Sequence, residues 1–109
     1  MDFMILVIIR LKALPGKRNE LLQTFTALIG SIRTDKGCNR CDVCQSIEDE
    51  NEILVLEEWD SQENLNLHLK SGRFRVIRGT TSLLQEPFKI IFHTTFHLKE
   101  ELNISSANH

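Results

Sequence analysis

Residues 3–13 read FMILVIIRLKA. Every second residue of this run is apolar, and the residues between them are apolar too until Arg10 and Lys12 interrupt the pattern. A run with this period is typical of a β-strand, whose side chains point alternately to its two sides. The sequence therefore predicts a first strand that presents an apolar surface on both faces of its sheet.

A long amphipathic helix follows this strand. Leu14-Pro15-Gly16 has the composition of a turn, and apolar residues then recur at helical spacing between residues 17 and 35. They form one stripe of Leu21, Leu22, Phe25, Leu28, Ile29 and Ile32. Gly37 stands where a glycine commonly ends a helix. The first half of the chain thus predicts strand, turn and helix.

A hairpin and a short helix come next. The hairpin consists of residues 40–47, a polar turn at 48–51 and residues 52–60, which alternate as two strands. Asp60 and Glu63 have the spacing of a capping box, so a helix is predicted to begin at that point. This helix carries Leu65, His68 and Leu69 on one side and breaks at Ser71-Gly72.

The remaining residues predict a second helical piece and a last strand. The helical piece carries Phe74, Ile77 and Leu84, and strand alternation resumes after Pro87. The apolar side of this strand consists of Phe88, Ile90, Phe92, Phe96 and Leu98. The order is therefore β-α-β-β-α-β, an α+β ferredoxin-like sandwich in which a four-stranded antiparallel sheet carries its helices on one face.

One domain accounts for the whole chain. With 109 residues, two domains would each be too small to bury a core. We expect the domain to span residues 1–98. Residues 99–109 are mostly polar, and we expect them to form a tail that frays from the domain.

The face of the sheet that lies away from the helices is also predicted to be apolar. It would carry Met4, Leu6 and Ile8 from the first strand and Leu54 and Leu56 from the third. Two helices can cover only one face, so this surface stays uncovered in a single chain. A second copy of the sheet, related by a two-fold axis, is the simplest cover, and we expect a homodimer.

Composition and charge argue against several kinds of partner. Lys and Arg number 13 against 15 Asp and Glu, a net charge of −2, whereas nucleic-acid binding needs a basic surface. The longest apolar run, residues 3–9, is far too short to span a membrane and lacks the features of a signal peptide. The three cysteines are an odd number, which favours reduced thiols and a cytoplasmic protein.

Two sets of residues have spacings that suggest a metal site. Cys38, Cys41 and Cys44 are evenly spaced, but on a regular strand the outer two lie about 20 Å apart and Cys41 faces the other side. His93 and His97 would lie about 13 Å apart on a strand, and we expect both on the sheet face away from the helices. Neither set can share one ion, so we expect no metal, with Cys41 as a small buried residue.

Three arginines, Arg73, Arg75 and Arg78, surround Phe74 in the second helical piece. An arginine at the mouth of a cavity could meet an anionic substrate. Charged residues on a helix are more often simply solvated, and we expect a solvated helix face here.

Four short motifs are similar, in order and spacing, to those of a known family. They are Pro15-Gly16 before the first helix, Gly37-Cys38 after it, Glu58-Trp59 at the end of the third strand, and the His-x-x-Ser-x-x-Phe spacing of His68, Ser71 and Phe74. In this layout the chain resembles the antibiotic-biosynthesis-monooxygenase family of dimeric α+β barrels, over residues 4–96. The resemblance implies that two sheets pack face to face as a dimer, and that each protomer takes a small hydrophobic or aromatic ligand.

The resemblance also implies a site. His68 would reach into a cavity between helices and sheet and accept the proton of a hydroquinone or phenol. Trp59, Glu58 and Phe74 would line the same pocket, with Trp59 stacking on a flat substrate and Glu58 orienting His68. The alternatives are structural. His68 then bonds a backbone carbonyl or Glu58, Trp59 is a core residue, and Glu58 is a surface charge beside arginines.

Members of that family oxidise quinols and polyketides, degrade haem, or have no known substrate. The haem-degrading members use an asparagine, a tryptophan and a histidine at positions that here hold Ile9, His68 and Arg78, so haem is not expected. We expect a monooxygenase that oxidises a small aromatic such as a hydroquinone with dioxygen and needs no cofactor. The alternative is a non-catalytic dimer that binds a small ligand or serves in stress. A closed apolar cavity at His68 favours the enzyme, and a site filled by side chains favours the alternative.

Overall fold

The computed structural model describes residues 3–96 and 102–104. Within them the chain forms β1 (Phe3–Lys12), α1 (Arg18–Arg33), β2 (Cys38–Gln45), β3 (Glu52–Trp59), α2 (Gln62–Leu69), α3 (Gly72–Gly79) and β4 (Lys89–Phe96). A 3₁₀ turn, Thr80–Leu83, lies between α3 and β4. The predicted element order is confirmed, with the second helical unit divided into α2 and α3. None of these helices is long and apolar enough to cross a membrane.

The four strands form one antiparallel sheet in the order β2-β3-β1-β4. Val7, at the centre of β1, lies opposite Glu57 of β3 and Phe92 of β4. The longest helix, α1, packs over β2, and α2 packs over β3. This is the α+β ferredoxin-like sandwich that the sequence predicts.

The core lies between the helices and one face of the sheet. Its buried side chains include Ile5, Val7, Ile9 and Leu11 of β1, Leu21, Phe25 and Ile32 of α1, and Leu65, Phe74 and Ile77 of α2 and α3. Burying one large apolar side chain contributes about 1.5–3 kcal/mol. The predicted stripe of α1 therefore holds this helix on the sheet.

The opposite face of the sheet is apolar along its middle. Its central side chains are Leu6, Ile8, Leu54, Leu56 and Ile91. Four of them are half-buried, and Ile91 is 46% exposed. His93 lies on this face opposite Leu6, as predicted, whereas His97 lies outside the described residues. We call this surface the outer face.

A β-bulge in β2 changes the direction of one cysteine. Cys38 lies opposite Trp59 and Arg40 lies opposite Glu58, so Asn39 is an extra residue between them. The extra residue breaks the alternation of the strand, and Cys38 then shares a face with Cys41. The prediction that these two cysteines face opposite ways is therefore wrong, because it assumed a regular strand.

The start of α2 is one residue later than the sequence predicts. Ser61 is the N-cap, and its Oγ accepts a hydrogen bond from the backbone N–H of Asn64 at 3.1 Å. Asp60 instead accepts a hydrogen bond from the side-chain amide of Asn64 at 2.9 Å. Ser and Asp both cap helices well, so sequence alone could not choose between these two neighbours.

The predicted C-terminal tail lies largely outside the described residues. Its described part, residues 102–104, is exposed and has no regular secondary structure. The division of the chain at residue 98 stays a prediction.

Candidate functional site

His68 lies on α2 with its side chain fully buried. Its imidazole stacks on the indole of Trp59, with the ring centroids 4.6 Å apart and 26° between the ring planes. Phe74 of α3 meets the same imidazole edge-on, at a centroid distance of 5.6 Å. The structure therefore brings together three of the four predicted site residues.

One serine fixes the distance between His68 and Phe74. Ser71 is the N-cap of α3, and its Oγ accepts a hydrogen bond from the backbone N–H of Phe74 at 3.2 Å. The same hydroxyl donates to the backbone carbonyl of His68 at 2.6 Å. The His-x-x-Ser-x-x-Phe spacing thus places both rings on the same side of the junction between α2 and α3.

Two carboxylates flank the imidazole of His68. Glu57 Oε1 lies 3.4 Å from Nε2, and it also accepts a hydrogen bond from the indole N–H of Trp59 at 2.9 Å. Asp35 Oδ2, from the loop between α1 and β2, lies 3.7 Å from Nδ1. Arg73 of α3 pairs with the other oxygen of Asp35. His68 is thus in the middle of a largely buried chain of polar groups that runs from Glu57 to Arg73.

Glu58 lies outside this group. Its side chain is on the outer face, where Oε1 is 3.8 Å from Nη1 of Arg40. Neighbouring residues of a strand point to opposite sides, so Glu57 shares the buried side with Trp59 and Glu58 cannot. The expected contact between Glu58 and His68 is therefore corrected to one between Glu57 and His68, and Glu58 has the surroundings of a surface charge beside an arginine.

Several buried polar atoms of this group have no hydrogen-bond partner among the described residues. They are Asp35 Oδ2, Glu57 Oε2, His68 Nδ1, His68 Nε2 and Arg73 Nε. Buried polar atoms nearly always have partners, and each one without a partner costs about 1–3 kcal/mol. Their concentration in four contacting residues marks a place where a polar molecule, such as water or a ligand, would supply the missing hydrogen bonds.

A surface cleft of about 200 Å³ opens onto this group. Its walls are Asp35, Lys36, Asn64, Leu67, His68 and Arg73. Trp59 and Phe74 pack directly on His68 and are themselves buried. Side chains therefore fill the space where a cavity between helices and sheet was expected, and the cleft approaches His68 from the junction of α2, α3 and the α1–β2 loop.

The arginines of α3 have different surroundings from one another. Arg73 belongs to the site through its ion pair with Asp35, so the expectation of a solvated face is wrong for this residue. Arg78 places its guanidinium carbon 5.2 Å from the centre of the Phe74 ring, a cation–π contact. Arg75 is exposed, as expected.

The two cysteines near the site are free thiols, one buried and one half-buried. Burial raises the pKa of the Cys41 thiol to about 12, and burial also raises the pKa of Cys38. Both thiols are therefore protonated at neutral pH. A protonated thiol is a poor nucleophile and a poor metal ligand. In the part of the chain that the structure describes, no group of three His, Cys, Asp or Glu side chains is placed to hold a metal ion.

Two carboxylates of the site were missed by the sequence analysis. Glu57 had a signal in the sequence, because it falls in the same alternation as Ile53, Val55 and Trp59. That alternation places its carboxylate on the buried face of β3. Asp35 had none, since it reaches His68 only through the packing of the α1–β2 loop against α2.

Comparison with known proteins gives the family. Residues 4–79 match the model of the family described as antibiotic biosynthesis monooxygenase, so the chain belongs to that family. It is 27% identical over 83 residues to YcnE of Bacillus subtilis (strain 168), named as a candidate monooxygenase, and the match covers 74% of this chain and 86% of YcnE.

Solved structures have the same fold as this chain. A conserved protein from Methanosarcina mazei Go1 has a TM-score of 0.79 at 26% identity, over 84% of this chain and 92% of that one. A candidate antibiotic biosynthesis monooxygenase from Nitrosomonas europaea has a TM-score of 0.80 at 16% identity, over 85% and 90%. The second likeness, at that identity, shows the fold alone.

Proposed function

We propose that this chain is a monooxygenase that needs no cofactor and oxidises a small hydroquinone-like aromatic with dioxygen. The observation that carries the proposal is the buried imidazole of His68, held between Glu57 and Asp35 beside a surface cleft. Membership of a monooxygenase family supports the same reaction class.

His68 would act as the base through Nδ1, the buried nitrogen on the side of Asp35, a residue that also lines the cleft. A neutral imidazole has one N–H and one bare nitrogen. We assign the N–H to Nε2, beside Glu57, which leaves Nδ1 as the acceptor on the side of Asp35. The imidazolium that forms would lie between two carboxylates that stabilise its charge, while Arg73 offsets the charge of Asp35.

The deprotonated hydroquinone can pass an electron to dioxygen without a metal or flavin. The two radicals then combine at a ring carbon, and loss of water leaves a hydroxyquinone. One hydroquinone and one dioxygen thus give one hydroxyquinone and one water. Both oxygen atoms are accounted for, since one enters the ring and the other leaves as water. The protein supplies the base and the orientation of the ring.

The test is dioxygen uptake by the purified protein with a panel of hydroquinones, corrected for autoxidation, followed by mass spectrometry with ¹⁸O₂. We expect uptake well above the blank and one labelled oxygen in the quinone product. Uptake that gives hydrogen peroxide and an unlabelled quinone would contradict monooxygenation. An absence of uptake across the whole panel would favour the second candidate.

The second candidate is a non-catalytic dimer that binds a small ligand. The close packing of Trp59, His68 and Phe74 favours it, because Trp59 and Phe74 pack directly on the imidazole. Such a protein would bind aromatic ligands in the cleft and consume no dioxygen. Calorimetric binding under nitrogen, set beside the uptake assay, separates the two candidates.

We also propose that two copies pair through the outer face. Ile8 lies at its centre, with Leu56 and Ile91 as its register partners, and an apolar surface of this kind favours association. Ile8→Asp places an unpaired charge there in both copies and should weaken the dimer about 100-fold or more. Light scattering at micromolar concentration should then show the mass of one chain instead of two.

The matched control for this prediction is Val76→Asp, which changes an exposed apolar residue on α3. It should keep the mass of the unmodified protein. Circular dichroism must show that the Ile8→Asp variant is folded. A folded Ile8→Asp variant that keeps twice the chain mass would place the interface elsewhere.

A further inference from the structure

We propose that the substrate of the cleft carries an acidic group on its ring, so that the ligand is a hydroxylated aromatic acid of the 2,5-dihydroxybenzoate kind. The hydroquinone ring in this statement rests on the proposed function. The acidic group follows from the charged residues of the cleft itself.

The cleft holds cationic donors that the protein does not use. Lys36 lines it and is exposed, and the ion pairs among the described residues give it no carboxylate partner. Arg73 uses one end of its guanidinium on Asp35, but its buried Nε has no acceptor. A carboxylate is the group that satisfies both, since it accepts charge-assisted hydrogen bonds from ammonium and guanidinium groups alike.

Two buried acceptors lie next to those donors. Asp35 Oδ2 and His68 Nδ1 lie 3.7 Å apart, and neither has a hydrogen-bond partner among the described residues. A ring hydroxyl placed against them can donate to either. In 2,5-dihydroxybenzoate a hydroxyl stands next to the carboxylate, so one ligand edge offers a donor to Asp35 and His68 and an acceptor to Arg73. Plain hydroquinone offers the hydroxyl but no carboxylate.

Asp35 does not cancel the attraction for an acid. Its charge is already paired with Arg73, so Lys36 is the cation at the cleft without a protein partner. Leu67, which is 61% exposed, gives the ring an apolar wall. The cleft therefore has a polar end near His68 and an apolar side, as expected for an aromatic acid.

The test is isothermal titration calorimetry under nitrogen, with 2,5-dihydroxybenzoate and hydroquinone as probes. We expect the acid to bind at least about tenfold more tightly than hydroquinone, and Lys36→Gln to remove most of that preference. The matched control is Lys17→Gln. Lys17 lies at the N-terminal end of α1, whereas Lys36 follows the C-terminal end, and the helix between them is about 24 Å long. The preference for the acid should therefore survive the Lys17→Gln substitution.

Equal affinity for the two probes, binding of neither, or a preference that survives Lys36→Gln would each overturn the inference. Because the titration uses no dioxygen, its outcome is independent of catalysis. Preferential binding of the acid with no oxygen uptake would reject the monooxygenase and keep the acid site. Oxygen uptake with no preference for the acid would keep the monooxygenase and reject the acid site.

Discussion

Replacing His68 by alanine should lower kcat for the proposed oxidation of hydroquinone by about 100- to 10,000-fold, the range that a positioned general base contributes. Substrate binding in the cleft should change much less, because Asp35, Lys36 and Arg73 remain. The measurement is the steady-state rate of dioxygen uptake. Since the alanine leaves a gap between Trp59 and Phe74, His68→Gln is a second variant that keeps more of the packing.

The two neighbouring glutamates give this prediction a matched pair of controls. Glu57→Gln keeps an acceptor for the indole N–H of Trp59 but removes the charge beside the imidazole, so we expect kcat to fall. Glu58→Gln changes a residue on the outer face and should leave kcat within about twofold. A folded His68→Gln variant with the unmodified rate, or a loss in Glu58→Gln as large as in Glu57→Gln, would contradict the site.

Local patterns in the sequence predict the fold well because they report the requirements of single elements. The alternation in β1 and the stripe of α1 reappear as the buried residues Ile5, Val7, Leu21 and Phe25. Each element can bury its apolar face against its neighbours in only a few ways. The β-α-β-β-α-β order then leaves one common arrangement of the helices on the sheet. The bulge at Asn39 escaped prediction, since an inserted residue has no signature of its own there.

The site could be predicted only in part, and the missing part is tertiary. His68, Trp59 and Phe74 were found from their motif, and Ser71 explains its spacing. Glu57 is readable from the alternation of β3, but Asp35 comes from a loop that is distant in sequence. Periodicity places a residue on a face of its own element and says nothing of which loop packs against that face.

That loop depends on a glycine. Gly37 has a φ of +83°, a region that residues with a Cβ rarely adopt. A Cβ there would lie 2.7 Å from Asn64 Cβ and still nearer to Asp60 Oδ1, at the start of α2. Gly37 cannot move away easily, because its carbonyl accepts a hydrogen bond from the Asp60 N–H at 2.9 Å.

Gly37→Ala should therefore lower the free energy of unfolding by about 2–4 kcal/mol, the sum of the unfavourable φ and the overpacking. For a chain of this size the melting temperature should fall by about 10–25 °C. Urea unfolding followed by circular dichroism measures the first quantity, and a thermal scan measures the second. The affected loop also carries Asp35 and Lys36, so ligand binding in the cleft should weaken in the same variant.

Gly30→Ala is the matched control, and it should act in the opposite direction. Gly30 lies within α1 with nothing within 4 Å of a Cβ built on it. Alanine at an exposed helix position should raise the free energy of unfolding by about 0.5–1 kcal/mol, because it restricts the unfolded chain and favours the helix. The two glycines differ in backbone conformation and in what a Cβ would meet. A Gly37→Ala variant as stable as Gly30→Ala would therefore show that the α1–β2 loop does not approach α2 as closely as this site requires.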